Sequence, residues 1–188
     1  MRPVAREEIL DFVTYSERRE ALRASAMRAK DLRRVHVGEH LTFLFENAET
    51  VRYQVLEMVR AEQLVREADI RHELETYNAL LGEEGDLGCT LLIEIDDPAE
   101  RARLLRAWRD LPGHVHLVLA DGRVVPARWD EAQMDEDRLS SVQFLRFPVA
   151  GGEPIGLRIT HPALGVETRF GAETRRALAE DLGLASGA

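Results

Sequence analysis

The sequence predicts an α+β fold: N-terminal helices followed by a mostly antiparallel or mixed β-sheet packed by helices. Three observations predict it. Residues 1–34 place apolar side chains at helical spacing. From residue 35 onward, runs such as LTFLF and HVHLVLA alternate with the period of a half-buried strand. The Asp-Gly pair in ADGR joins two of these runs by a two-residue turn, the connection of antiparallel neighbours. Helices first, then mostly strands with inserted helices, is the order of an α+β chain. A length of 188 residues suits one domain over 1–188, with a helical segment at 1–34 and the sheet, its inserted helices and a C-terminal helix at 35–188.

The elements follow in order. AREEILDFV is the first expected helix, with Ile9, Leu10 and Phe12 or Val13 turned inward. SERREALRASAMRAKDL is the second, with Ser16 as its N-cap. RVHVGEHLTFLFEN reads as one bent strand or a short hairpin broken at Gly38, where Leu41, Phe43 and Phe45 alternate with Thr42, Leu44 and Glu46. Thr50 is placed to cap the next helix, in which Val51, Val55, Met58 and Val65 share one stripe and Glu62 falls in its middle. A further helix follows Asp69, with Ile70, Leu74, Tyr77 and Leu81 on one face, and Gly82, Gly85 and Gly88 then mark a loop.

IDDPAERARLLRAW has a helix start written into it: Asp97 caps, Pro98 takes the first helical position, and Glu100 completes a capping box. HVHLVLA and VVPARW form a hairpin through Asp121 and Gly122, and Pro126 assigns the second strand to an edge. SSVQFLRFPV and IGLRIT are two more strands, and AETRRALAEDL is the closing helix.

Composition narrows the function classes. The net charge of −9 works against general nucleic-acid binding and against adhesion to an anionic membrane. Within that acidic chain, Arg18, Arg19, Arg23, Arg28, Lys30, Arg33 and Arg34 make one basic stretch, read as a solvated helix face, with an anion-binding or partner-docking edge as the alternative. One cysteine, Cys89, excludes an internal disulfide and an all-cysteine metal or iron–sulfur site, and its place in CTLLIEI makes it a small core residue. No apolar run is long enough to span a membrane, and MRPVAREEILDF lacks a secretory apolar region, so a cytoplasmic protein is expected.

Glu62 is the polar residue that demands an explanation. Burying a carboxylate costs several kcal/mol unless it is paired and hydrogen-bonded, so an arginine is expected against it. Arg33 and Arg34 are the predicted partners, and Gln54 flanks the same stripe. A buried Glu–Arg pair that fixes helix on sheet is the structural reading, a ligand or catalytic carboxylate is the functional one, and a helix end frayed enough to expose Glu62 is the third. Glu57 and Arg60 point away from the stripe.

Asp69 and His72 have carboxylate-x-x-His spacing, but no second such helix exists, and Thr76 stands where a zinc-binding HExxH motif needs histidine. His72 is expected to face water. His114 and His116 lie on one strand face opposite Val115, Leu117 and Leu119, and are expected to be exposed. His161 keeps the parity of Ile155, Leu157 and Ile159, which turns it inward as a satisfied core histidine or a site residue. No phosphate-binding glycine loop, nucleophile elbow, metal site or cofactor motif is present in the sequence.

Several of these stretches together resemble a known family. RRVHVGEHLTFLFENAETVRYQVLEMVRAE, ELETYNALL, TLLIEI, SSVQFLRF and the HP ahead of RRALAEDL are similar, in order and over nearly the whole chain, to the bacterial DUF3501 family of unknown function. The positions matching its signature are Arg33, Arg34, Phe45, Glu46, Gln54, Glu57, Met58, Arg60, Glu62, Glu73, Tyr77, Asn78, Arg146 and His161. The resemblance brings no reaction with it. It implies an accessory or interaction protein beside an iron or iron–sulfur redox partner, rubrerythrin-like or an oxidoreductase, with the iron chemistry in that partner and no cofactor held by this chain. The rival expectation is an enzyme or binding protein for a small organic anion, with a pocket of Arg33 or Arg34, Gln54, Glu62, Tyr77, Asn78 and His161 and secondary positions at Glu57, Arg60, Glu73 and Arg146.

Overall fold

The computed structural model describes residues 1–130 and 137–184; the domain range expected from the sequence also takes in 131–136 and 185–188, which lie outside them. Among the described residues five α-helices accompany eight strands in two antiparallel four-stranded sheets, an α+β fold.

The N-terminal segment holds one long helix rather than two. Arg6–Glu8 form only a short 3₁₀ turn, and α1 runs Phe12–Arg33. Its cap is Asp11, whose Oδ1 accepts from the backbone N–H groups of Val13 and Thr14 at 3.0 Å. Ser16, expected as a cap, instead donates to the Phe12 carbonyl inside the helix at 2.6 Å.

A hairpin follows, turning at Gly38: β1 (Arg34–Val37) pairs with β2 (Leu41–Phe45). Helix α2 spans Ala48–Ala61 and is capped by Asn47, with Thr50 returning its hydroxyl to the Asn47 N–H at 3.0 Å. Thr50 is therefore the inner member of a capping box and not the cap itself.

The end of α2 corrects the reading of Glu62. Gln63 adopts a left-handed φ of 50°, the Leu64 N–H bonds the Val59 carbonyl at 3.0 Å, and the Gln63 N–H bonds the Arg60 carbonyl at 3.3 Å. This is a Schellman closure, and it makes Glu62 the C-cap. The buried stripe is Val51, Val55, Leu56 and Val59; Glu62 is exposed and Val65, beyond the helix, is 74% exposed.

Helix α3 (Glu67–Asn78) packs Ile70 and Leu74 inward and continues into a 3₁₀ turn at Ala79–Leu81. Strand β3 (Asp86–Ile93) already contains Gly88, expected in the loop. Helix α4 (Pro98–Ala107) starts as its sequence specifies, with Asp97 accepting from the Glu100 N–H at 2.7 Å. Strands β4 (Val115–Leu119) and β5 (Val124–Pro126) form the Asp-Gly hairpin, with β5 at a sheet edge. Then come β6 (Val142–Pro148), β7 (Pro154–Ile159), the unforeseen β8 (Val166–Arg169) and α5 (Ala172–Asp181).

The sheets are ordered β1-β2-β3-β6 and β5-β4-β7-β8. One link joins their edges: Arg128 and Arg146 exchange both backbone hydrogen bonds at 2.8 Å. Between the sheets lies the main core, with Phe43, Phe45, Leu87, Leu91 and Phe147 from one side and Val115, Leu117, Leu157 and Ile159 from the other. Cys89 is part of it, as expected.

Thr42, Leu44, Thr90 and Leu92 occupy the opposite face of the first sheet by alternation. Helices α1 and α2 and the Ala79–Leu81 turn lie over that face, so β2 is buried on both sides rather than half-buried. The helical layer has its own core of Tyr15, Val51, Val55, Val59, Ile70 and Leu74. None of the helices among the described residues is long and apolar enough to cross a membrane.

Candidate functional site

Between the helical layer and the first sheet is a cavity of about 280 Å³. Lys30 of α1, Gln54 of α2 and Tyr77 of α3 reach it from the helices, and Glu46, Leu44, Thr90 and Leu92 from the sheet. Tyr77, Leu80 and Phe144 also line a second cavity of about 380 Å³, whose other walls include Trp129, Leu145, Cys89 and Arg146. The two share those three walls and so lie side by side along one groove: a polar end that carries Lys30, Glu46 and Gln54, and an end where Asp130 and Arg146 accompany a mainly apolar lining. Phe144 and Val142 stand at its outer side, 42% and 39% exposed.

Glu46 is held at the polar end because β2 continues through it: its N–H bonds the Gly88 carbonyl at 2.9 Å. Its side chain is only 7% exposed as a residue, and both oxygens accept hydroxyl protons, from Thr50 at 2.5 Å and from Thr90 at 2.7 Å. Lys30 lies over the Tyr53 ring with Nζ 5.3 Å from the centroid. Burial pulls its ammonium below the ordinary lysine range, and the neighbouring Glu46 acts in the opposite direction. Among the described residues no protein group hydrogen-bonds the Lys30 ammonium, the Gln54 amide or the Tyr77 hydroxyl.

The residues expected to converge do so only in part. Gln54 and Tyr77 share the groove, and Arg146 lies along its apolar end. Glu62 does not join them; it faces solvent beyond the end of α2. Arg33 is buried against Asp181 of α5 instead, with Nε–Oδ2 at 2.6 Å and a second guanidinium nitrogen on Oδ1 at 2.9 Å. Arg34 is on the surface beside Asp31. Asn78 is a backbone clamp: its amide accepts from the Val4 N–H at 2.9 Å and donates to the Val4 carbonyl at 3.0 Å. Glu73 is half-buried on α3 and lines neither cavity.

The carboxylate–guanidinium pair predicted at Glu62 exists one turn and more earlier, at Glu57. Arg19 grips both oxygens of Glu57 at 2.8 and 2.9 Å, the Tyr15 hydroxyl donates at 2.5 Å, and Arg60 lies 3.8 Å away. These contacts fix α1 on α2. The bond to Arg19 comes first among the causes that hold the Glu57 carboxyl below its ordinary value of 4.5. A carboxyl depressed on folding stabilises the protein above its unfolded value and loses that contribution as pH falls through the folded one. Glu57→Gln is therefore expected to flatten the loss of stability below about pH 4.5, read from denaturant midpoints across an acid series.

His161 is inward, as expected, but far from this chemistry in its partners. Its Nδ1 accepts from the Ala163 N–H at 3.2 Å and its Nε2 meets Asp110 at 3.3 Å. His114 meets the same carboxylate at 3.1 Å and Thr160 at 3.2 Å. Both imidazoles thus have each ring nitrogen engaged, which is the satisfied core arrangement for His161. His72 faces water, while His114 and His116 are half-buried rather than exposed. Among the described residues no group of three or more His, Cys, Asp or Glu side chains is placed to hold a metal ion.

Lys30 and Glu46 were the site residues that sequence reasoning missed. Lys30 read as part of a solvated basic face, and Glu46 fell at the polar parity of a strand taken to be covered on one side only. The covering of that second face is what turns both into cavity residues.

The family described as "Protein of unknown function (DUF3501)" matches residues 3–182. A crystal structure of a novel protein of unknown function from Burkholderia pseudomallei K96243 is similar, with a TM-score of 0.86 and 29% identity over 96% of this chain and 100% of that one. No curated protein matches the chain.

Proposed function

This chain belongs to the DUF3501 family, and from the groove in its structure we propose that it binds a small organic acid between its helical layer and its first sheet. The single observation that carries the reading is a set of donors around one cavity that no protein group among the described residues hydrogen-bonds: the Lys30 ammonium, the Gln54 amide and the Tyr77 hydroxyl. The three residues are half-buried, and a carboxylate seated among them supplies an acceptor for each donor. The two adjacent cavities, about 280 and 380 Å³, lie near the lower end of the range of roughly 300–1,000 Å³ for small-molecule sites. The apolar end, with Leu80, Phe144 and Trp129, accommodates a hydrocarbon portion.

A binding role suits a cytoplasmic accessory protein of the kind the family resemblance implies, beside an iron or iron–sulfur redox partner. The chain's own thiol would take no part in electron transfer, because burial pushes Cys89 well above the ordinary thiol range.

Titration calorimetry with 3-phenylpropionate, one carboxylate on a short aryl tail, tests the reading. Saturable binding at millimolar ligand is expected, weakened at least tenfold in Lys30→Met. No binding, or the same affinity in that variant, would remove the basis for an anion site here.

A further inference from the structure

Glu46 puts a constraint on the ligand that a simple anion does not meet. It shares the wall of the same cavity with Lys30, and among the described residues its side chain is hydrogen-bonded by two neutral hydroxyls alone. Lys30 rests on the Tyr53 ring, and among the described residues it forms no ion pair with Glu46. Two unlike charges thus line one cavity with no ion pair between them. A lone carboxylate seated at Lys30 would face Glu46, and a lone amine seated at Glu46 would face Lys30. Each charge is costly to withdraw from water unless a counter-charge meets it.

Resting on the small-acid reading above, we infer that the ligand is a zwitterion: a free α-amino acid with a large apolar side chain. Its carboxylate meets Lys30 and the Tyr77 hydroxyl. Its ammonium meets the lone pairs of Glu46 that Thr50 and Thr90 leave open, each oxygen of a carboxylate having more than one. Gln54, which carries both donor and acceptor, serves either group. The side chain of the ligand passes the shared wall of Tyr77, Leu80 and Phe144 into the apolar cavity. The site as a whole is close to charge-balanced, which favours a ligand with no net charge.

L-Phenylalanine and 3-phenylpropionate differ by the α-amine alone and make the test on the unmodified full-length protein. By calorimetry, L-phenylalanine is expected to bind at least tenfold more tightly than 3-phenylpropionate, and phenethylamine, which lacks the carboxylate, at least tenfold more weakly than L-phenylalanine. Glu46→Gln, which keeps the shape of the side chain, is expected to bring the first two ligands within threefold of each other. Binding of 3-phenylpropionate as tight as that of L-phenylalanine would overturn the zwitterion and leave the organic-acid site standing. Binding of none of the three would overturn both. The comparison on the wild-type chain decides between these outcomes even if Glu46→Gln folds poorly.

Discussion

Arg33→Met is expected to lower the free energy of unfolding by about 3–5 kcal/mol, the usual consequence of removing one partner from a buried ion pair. The guanidinium of Arg33 and the carboxylate of Asp181 have side chains 8% and 9% exposed, and two bonds of 2.6 and 2.9 Å join them. A third guanidinium nitrogen donates to the Ala29 carbonyl, and the Asn47 amide donates to Asp181 at 3.2 Å. The network ties the last residue of α1 to the last residue of α5 and to the cap of α2, so three helix ends meet at one carboxylate. Removing the cation leaves Asp181 buried without a counter-charge. The double variant Arg33→Met/Asp181→Leu removes both charges and is expected to recover a large part of the loss. Urea denaturation of the single and double variants checks both statements; an additive double variant would contradict them.

The second large effect lies under the groove. Gly88 is central to β3, and a Cβ placed there would lie 1.6 Å from the Leu80 carbonyl oxygen and 2.7 Å from its carbon. Backbone cannot yield as a flexible side chain can, so Gly88→Ala must separate β3 from the Ala79–Leu81 turn. A cost of about 5 kcal/mol or more is expected, in the range reserved for severe steric conflict in a core. The variant is expected either to remain insoluble on expression or to melt far below wild type in a thermal scan. Because Leu80 is a shared wall of both cavities, any folded fraction is expected to lose ligand affinity as well.

How much of this was legible in the sequence depends on the range of the interaction concerned. Local grammar is legible: Asp97 and Pro98 start α4, and Asp121-Gly122 turns the β4–β5 hairpin with Pro126 at the edge. Alternation places Val115, Leu117 and Leu119 inward. Pairing between distant strands is not written locally, which is why one sheet is expected and two are found. Strand β8, VETR, carries a polar four-residue run with little apolar signal, and only its partner β7 makes it a strand.

Glu62 shows the same limit at a helix end. A left-handed C′ position usually announces itself with glycine or asparagine, and here glutamine occupies it. With no stop signal, the helical stripe extends on paper past its true end, and Glu62 acquires a burial it does not have. The physical expectation of a carboxylate paired with arginine between packed elements holds, but at Glu57 with Arg19 and at Asp181 with Arg33.

Within the site, Gln54 and Tyr77 are legible as polar residues at the margin of apolar helical faces. Lys30 and Glu46 are not, since their place depends on a helical layer folding over the second face of β2. Neighbouring charges in sequence hid Lys30: Arg18, Arg23 and Arg28 of the same helix are exposed, as a solvated face should be.

Residue-resolved NMR of the full chain, titrated with L-phenylalanine, tests the location of the site most directly. The expected result is a saturable set of shifts confined to Lys30, Glu46, Gln54, Tyr77, Leu80, Phe144 and their sequence neighbours. A set centred elsewhere, on the His114–Asp110–His161 group or on the exposed face of α1, would contradict the assignment of the groove.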